Sequence, residues 1–318
     1  MYSTKNNQKE KQVKTDLKNV LCAVLFAASV CIADAQVRVV ATSPVMSDIV
    51  RGVAGDKVAV KGLVPPGGDP HVYEPKPRDM KTLKDADLFF EVGLGYETWA
   101  DKMFKASGSH AVRVVTSEGV KPIRAEACEE HGHKGHDHCD HGEFDPHVWT
   151  DPACVMQMTK NVIDALVKAD PANRDTYKKN GEAYLASLKK LDKWISSEVS
   201  TLPKVQRKLV TNHDWLGYFA KRYEFELVDN LLGGISTDTT EPSAKRITSI
   251  AKKIRASKVK AIFAEAGHQN KTLGLVAKAA GVQVAPELFH EVSTPGSGAA
   301  TYDEMMRHNV KAILEALK

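Results

Sequence analysis

Near the middle of the 318-residue chain, Tyr177, Gly181, Tyr184, Leu188, Leu191, Ile195 and Val199 follow one another at intervals of three or four residues. That spacing places all seven on one face of a helix. Asp170-Pro171 supplies a start, an acidic cap followed by proline in the first turn. Pro203 closes the stretch just after Thr201. The pattern predicts one helix over residues 170–201, about 45 Å long at ~1.5 Å per residue. Lys and Glu line another face, as suits a helix lying across two bodies. Gly181 interrupts the stripe at a typical cost of ~1 kcal/mol against alanine, and so points to a close approach by a neighbour.

Short β-rich runs stand on both sides of this helix. Before it come Val37–Ala41, Val58–Leu63, Leu88–Val92 and Val112–Val115; after it come Lys208–Thr211, Glu226–Val228, Val259–Phe263 and Val282–Ala285. Helix-length pieces separate them, which argues for parallel sheets built from βαβ units. The expected fold is α/β: two similar lobes with four-stranded, mainly parallel sheets joined by a long rigid linker helix. The lobes are expected over residues 36–169 and 202–318, with the linker at 170–201.

The first 35 residues read as a signal peptide rather than as part of the fold. Lys5, Lys9, Lys11, Lys14 and Lys18 make a basic leader, Val20–Ile32 is apolar, and Ala33-Asp34-Ala35 offers a cleavage site after Ala35. The apolar run is shorter than the roughly 20 residues of a spanning helix. The expectation is a secreted, periplasmic protein; Cys31 is an alternative lipid-anchor cysteine, though Val30 before it fits that role poorly. Cleavage removes those five lysines together with Glu10, Asp16 and Asp34, leaving a formal charge of +2 on 283 residues. Such near-balance gives no argument for nucleic acid. The length exceeds the usual single core, in keeping with two lobes. A monomer is expected.

Between Glu129 and Asp151 the chain reads EEHGHKGHDHCDHGEFDPHVWTD, with His131, His133, His136, His138 and His141 in eleven residues. A tract this dense in His, with Gly and Asp between, cannot pack a core. Imidazole suits zinc, copper and nickel, so the tract over residues 129–142 reads as an auxiliary metal collector. Cys128 and Cys139 bracket most of it and are candidates for a disulfide, with a thiolate contribution to metal binding as the rival. Cys154 lies in an apolar helical pattern and reads as packed.

Four further metal-competent positions fall beyond strand ends or before helices, where open α/β sheets bind ligands. His71 stands in VPPGGDPHVYEPKPRD, a loop stiffened by Pro65, Pro66 and Pro70. His147 stands in FDPHVWTDP, His213 in KLVTNHDWLGYF, and Glu291 in APELFHEVST with His290 beside it. Two come from each half, so an interlobe site is expected. Three imidazoles and one carboxylate match a closed, four-coordinate zinc centre.

The motifs GGDPHVYEPKPRD, DPHVWTDP, NHDWLGYFAKRY, AIFAEAGHQNKTL and TYDEMMRHN resemble those of the ZnuA/TroA-type solute-binding proteins that serve zinc- and manganese-importing ABC transporters. The resemblance covers nearly all of residues 37–318. It implies two α/β lobes joined by a long rigid helix, a metal between them, His71, His147 and His213 as ligands, and a membrane permease as partner. Manganese-selective relatives tend to carry Glu where this chain has His213, and a His-rich loop before the second ligand marks the zinc branch. Zn²⁺ is therefore the expected cargo, with manganese as the alternative. The family often has Asp at the fourth position, where this chain has Glu291; His290 or a water are the alternatives there. Glu265 is a further candidate, for orienting a ligating imidazole through its free ring nitrogen.

A secreted zinc hydrolase is the rival from another class, since three histidines and an open position suit a catalytic zinc. Against it, Thr294 stands where a second His after His290-Glu291 would be needed. No nucleophile elbow or phosphate-cradling loop accompanies it. A surface-adhesin role has no repeat to support it. His110, His268 and His308 read as surface or supporting residues, and Trp149 and Trp215 as walls beside the ligand positions.

Overall fold

The computed structural model describes residues 36–125, 142–237, 242–268 and 270–318. The expected signal peptide, the histidines of the tract, Cys128 and Cys139 lie outside the described residues. All eight expected strands form: β1 Arg38–Ala41, β2 Ala59–Gly62, β3 Leu88–Glu91, β4 Val112–Val115, β5 Lys208–Thr211, β6 Glu226–Asn230, β7 Ala261–Glu265 and β8 Gln283–Leu288. Between and after them run α1 Pro44–Ala54, α2 Pro77–Lys84, α3 Ala100–Ser107, α4 Pro152–Ala169, α5 Arg174–Ser200, α6 Gly217–Tyr223, α7 Ala244–Ser257, α8 Lys271–Ala280 and α9 Tyr302–Leu317.

The first four strands make one parallel sheet in the order β2-β1-β3-β4. Burial on both faces explains why β3, LFFE, carries no polar alternation and is buried throughout. One face packs on α1 through Val39, Ile49 and Phe90; the other meets α2 and α3 through Val40, Leu83, Phe89 and Met103.

The second half departs from the expected four-stranded sheet. It contains two parallel pairs, β5-β6 and β7-β8, with β5 lying alongside β7. Both pairs carry a register shift, between Leu209 and Val210 and between Phe263 and Glu265. Such shifts add local twist within each pair. A separate apolar cluster of Val210, Ile250, Ile254, Ile262, Leu273 and Val276 holds α7 and α8 against them.

The spine begins with a short 3₁₀ turn, Pro171–Asn173, because the Asp170 side chain accepts a bond from the Asn173 amide. The continuous helix α5 follows over Arg174–Ser200, with Tyr177, Gly181, Leu188, Leu191, Ile195 and Val199 all buried. It packs on α4 and α1 from the first half and on α9 from the second. A Cβ on Gly181 would lie 2.3 Å from Ile163 Cδ1, so glycine is what lets α4 and α5 approach. Residues 37–318 form one compact unit, and a single apolar cluster runs through both halves and the spine. Among the described residues, no helix is long and apolar enough to cross a membrane.

Candidate metal centre

Two Asp-Pro-His turns build the first half of the site in the same way. The Asp69 carboxylate accepts the His71 amide at 2.9 Å, and the Asp145 carboxylate accepts the His147 amide at 2.9 Å. Each aspartate caps a local turn, and the proline fixes the backbone between cap and histidine. His213 follows β5, where its amide and that of Asn212 donate to Glu265 Oε1 at 3.1 and 3.0 Å. Glu265 is the last residue of β7. The tips of the two central strands of the second half are thereby tied together beneath one imidazole.

These turns bring His71, His147 and His213 together. Each offers a ring nitrogen, and the three lie within 4.8 Å of one another; His71 Nε2 and His147 Nε2 are 3.0 Å apart. In a tetrahedral zinc site with bonds of ~2.0–2.1 Å, ligand nitrogens stand roughly 3.3 Å apart. The cluster is therefore within about 1 Å per ligand of that geometry. All three rings are buried, and His213 Nε2 has no hydrogen-bond partner.

The opposite ring nitrogens are held by carboxylates. His147 Nδ1 bonds Asp145 Oδ1 at 2.8 Å and His213 Nδ1 bonds Glu265 Oε2 at 2.7 Å. A donor Nδ1–H leaves Nε2 bare and aimed at the cluster, the tautomer a cation needs. The two supports differ in charge. Burial pushes Asp145 up to about 7 and holds His147 well below its usual range. Burial also opposes charge on Glu265 and His213, but their mutual attraction outweighs it, drawing Glu265 down to about 2 and raising His213. Burial and the neighbouring imidazoles hold His71 well below its usual range, so it stays neutral.

Glu291, expected as the fourth ligand, does not join this group. Its Oε1 accepts the Tyr96 hydroxyl at 2.8 Å and its Oε2 accepts the Val45 amide at 2.8 Å. The N-terminus of α1 offers unpaired N–H groups and the positive end of its dipole, which hold the carboxylate there. Burial pushes Glu291 up to about 8. His290 also falls outside the three: it groups with Asp69 and His268 in a second set of potential ligands. Trp149 and Trp215 do wall the site; Trp149 Nε1 donates to the His290 carbonyl at 2.9 Å and Trp215 Nε1 to Glu265 Oε1 at 3.1 Å.

Sequence reasoning passed over Tyr96, which packs edge-on against His71 with ring centroids 4.8 Å apart. No local motif marks it. Asp69 and Asp145 were legible as turn formers through the repeated Asp-Pro-His, but not as partners of the site.

The profile of the family described as "Zinc-uptake complex component A periplasmic" (ZnuA) matches residues 39–316. The chain belongs to this family. It is the substrate-binding component of a metal ABC transporter, which works with a membrane permease and ATPase, and is not an enzyme. Among relatives of this ZnuA-family chain, the metal ABC transporter substrate-binding lipoprotein SloC of Streptococcus mutans serotype c is 31% identical over 315 residues, covering 96% of this chain and 99% of SloC. The manganese-binding lipoprotein MntA of Halalkalibacterium halodurans is 31% identical over 282 residues, 88% of each chain. The structure of the periplasmic zinc binding protein TroA from Treponema pallidum superposes with a TM-score of 0.78 at 32% identity, covering 89% of this chain and 99% of TroA.

Proposed function

We propose that this chain captures Zn²⁺ outside the cytoplasmic membrane and delivers it to an ABC permease, with His71, His147 and His213 as the ligands. The observation that carries this reading is the convergence of three buried imidazoles, two of them backed by carboxylates, with no carboxylate in the same ligand group among the described residues. Imidazole sets suit zinc, whereas carboxylate-rich sites suit manganese. The His tract acts as a weaker collector that raises the local supply of ion. Export follows the basic-and-apolar leader, with cleavage after Ala35 or lipid attachment at Cys31 as the two forms; the relatives named lipoproteins lend weight to the second.

Manganese is the second reading. It draws on the name of MntA and on two carboxylates close to the site: Asp69, which faces the His268 and His290 imidazoles, and Glu291, which bonds the Tyr96 hydroxyl. Calorimetric titration of the exported protein with Zn²⁺ and with Mn²⁺ separates the two. One tight class for Zn²⁺, lost in His71→Ala and in His213→Ala, is the expected result; tight binding retained in either variant, or stronger binding of Mn²⁺, refutes the assignment. Deleting residues 130–142 should remove weak zinc sites and leave the tight one.

A further inference from the structure

We propose that Asp69, His268 and His290 form a second cation position beside the three histidines. The inference rests on the zinc-binding reading above. Among the described residues, these three are the one other group whose potential ligand atoms all lie within 4.8 Å of one another. They come from three separate loops: the Asp-Pro-His turn after β2, the turn after β7 and the segment after β8. Asp69 Oδ1 stands 3.9 Å from His290 Nε2 and Asp69 Oδ2 stands 3.8 Å from His268 Nε2. Those gaps are too long for hydrogen bonds and about half an ångström longer than the roughly 3.3 Å between ligands around a zinc ion.

The decisive observation is His290. Its side chain is 3% exposed, yet its Nε2 has no hydrogen-bond partner. A buried ring nitrogen left unpaired costs free energy unless something else meets it, and the atoms facing it are a carboxylate and another imidazole. Asp69 keeps acceptor capacity for a cation, since each oxygen takes one bond from the protein, Oδ1 from the His71 amide and Oδ2 from the Thr237 hydroxyl. Two imidazoles and one carboxylate make a donor set for a divalent transition metal.

The second group adjoins the first: the rings of His290 and His213 have centroids 5.9 Å apart, and those of His268 and His213 6.3 Å. It is also the more accessible of the two. The His268 side chain is 19% exposed, whereas those of His147 and His213 are fully buried. An ion at Asp69, His268 and His290 therefore sits next to the inner cluster on the side where solvent still reaches a ligand.

Crystals of the exported protein grown with excess Zn²⁺, measured on both sides of the zinc absorption edge, test this. The expected anomalous map has one peak among His71, His147 and His213 and a second bounded by Asp69, His268 and His290. His268→Ala should lose the second peak and keep the first. A peak at the three histidines alone overturns the second position and leaves the function intact, as does a single ion that takes His290 as its fourth ligand. A map with no peak at the three histidines refutes the function itself, and with it a second position defined beside the first.

Discussion

Replacing Glu265 by Gln tests whether the carboxylate behind His213 sets the metal-ready tautomer. Glu265 spends both oxygens: Oε2 on His213 Nδ1 at 2.7 Å, and Oε1 on the Asn212 and His213 amides and the Trp215 indole. Glutamine has one acceptor oxygen for these four donors. If its oxygen stays with the two amides and the indole, its NH₂ faces His213 Nδ1, which must then accept. The ring proton moves to Nε2, the atom a cation needs. If the amide flips, the NH₂ confronts three N–H groups. Losing a carboxylate that supports a ligating imidazole typically costs 10–100-fold in metal affinity, or about 1.4–2.7 kcal/mol. Asp145→Asn should cost less, because Asp145 already sits at about 7 and carries only part of a charge at neutral pH, whereas Glu265 is held near 2. Competition against a zinc-binding dye at pH 7.5 reads both variants, with far-ultraviolet circular dichroism checking that each is folded. A folded Glu265→Gln protein whose zinc affinity stays within about threefold of wild type refutes the tautomer reasoning.

Glu291→Gln should change zinc affinity less than about threefold while lowering the melting temperature, since the carboxylate ties the last loop to α1 and Tyr96; a loss of a hundredfold or more in affinity shows instead that Glu291 ligates. Gly181→Ala should destabilise by about 1–3 kcal/mol through the clash with Ile163, outweighing the ~1 kcal/mol gained in helix propensity. Denaturant melts read it, and Ile163→Ala in the same chain should recover part of the loss; a stabilised Gly181→Ala protein refutes the close-packing account. Burial pushes Glu97, which accepts from Thr42 Oγ1 and the Val92 amide, up to about 7. Its unfolded value is about 4.3, so its contribution is full below that pH and is lost as pH rises through 7, to the order of 3 kcal/mol. Metal-free protein should therefore lose stability between about pH 4.5 and 7, and Glu97→Gln should show a flatter profile there; equal slopes in chelator refute the assignment.

The backbone was legible because its signals are local. Each expected strand lies within about three residues of an observed one at either end, and the spine is where its apolar stripe put it. The division of the second sheet was not legible, because an apolar run does not say which neighbour it will pair with: AIFAE of β7 is buried throughout, yet among the described residues it ladders with β8 alone. Glu291 illustrates a different limit. The sequence placed it after the last strand, but its direction depends on Tyr96 and the start of α1, 195 and 246 residues away.

The paired Asp-Pro-His turns show how one local motif yields two chemistries. In both, one aspartate oxygen closes the turn onto the histidine amide. At Asp145 that same oxygen also reaches His147 Nδ1, so the turn supports its own ligand. At Asp69 the His71 ring swings toward His147 instead, and the carboxylate is left facing Thr237, His268 and His290. The side chains that meet the freed carboxylate all lie outside the motif, in the second half of the chain. A carboxylate released from supporting its own histidine, set against two imidazoles with little else to bond, is what extends the metal-competent surface from one cluster to two.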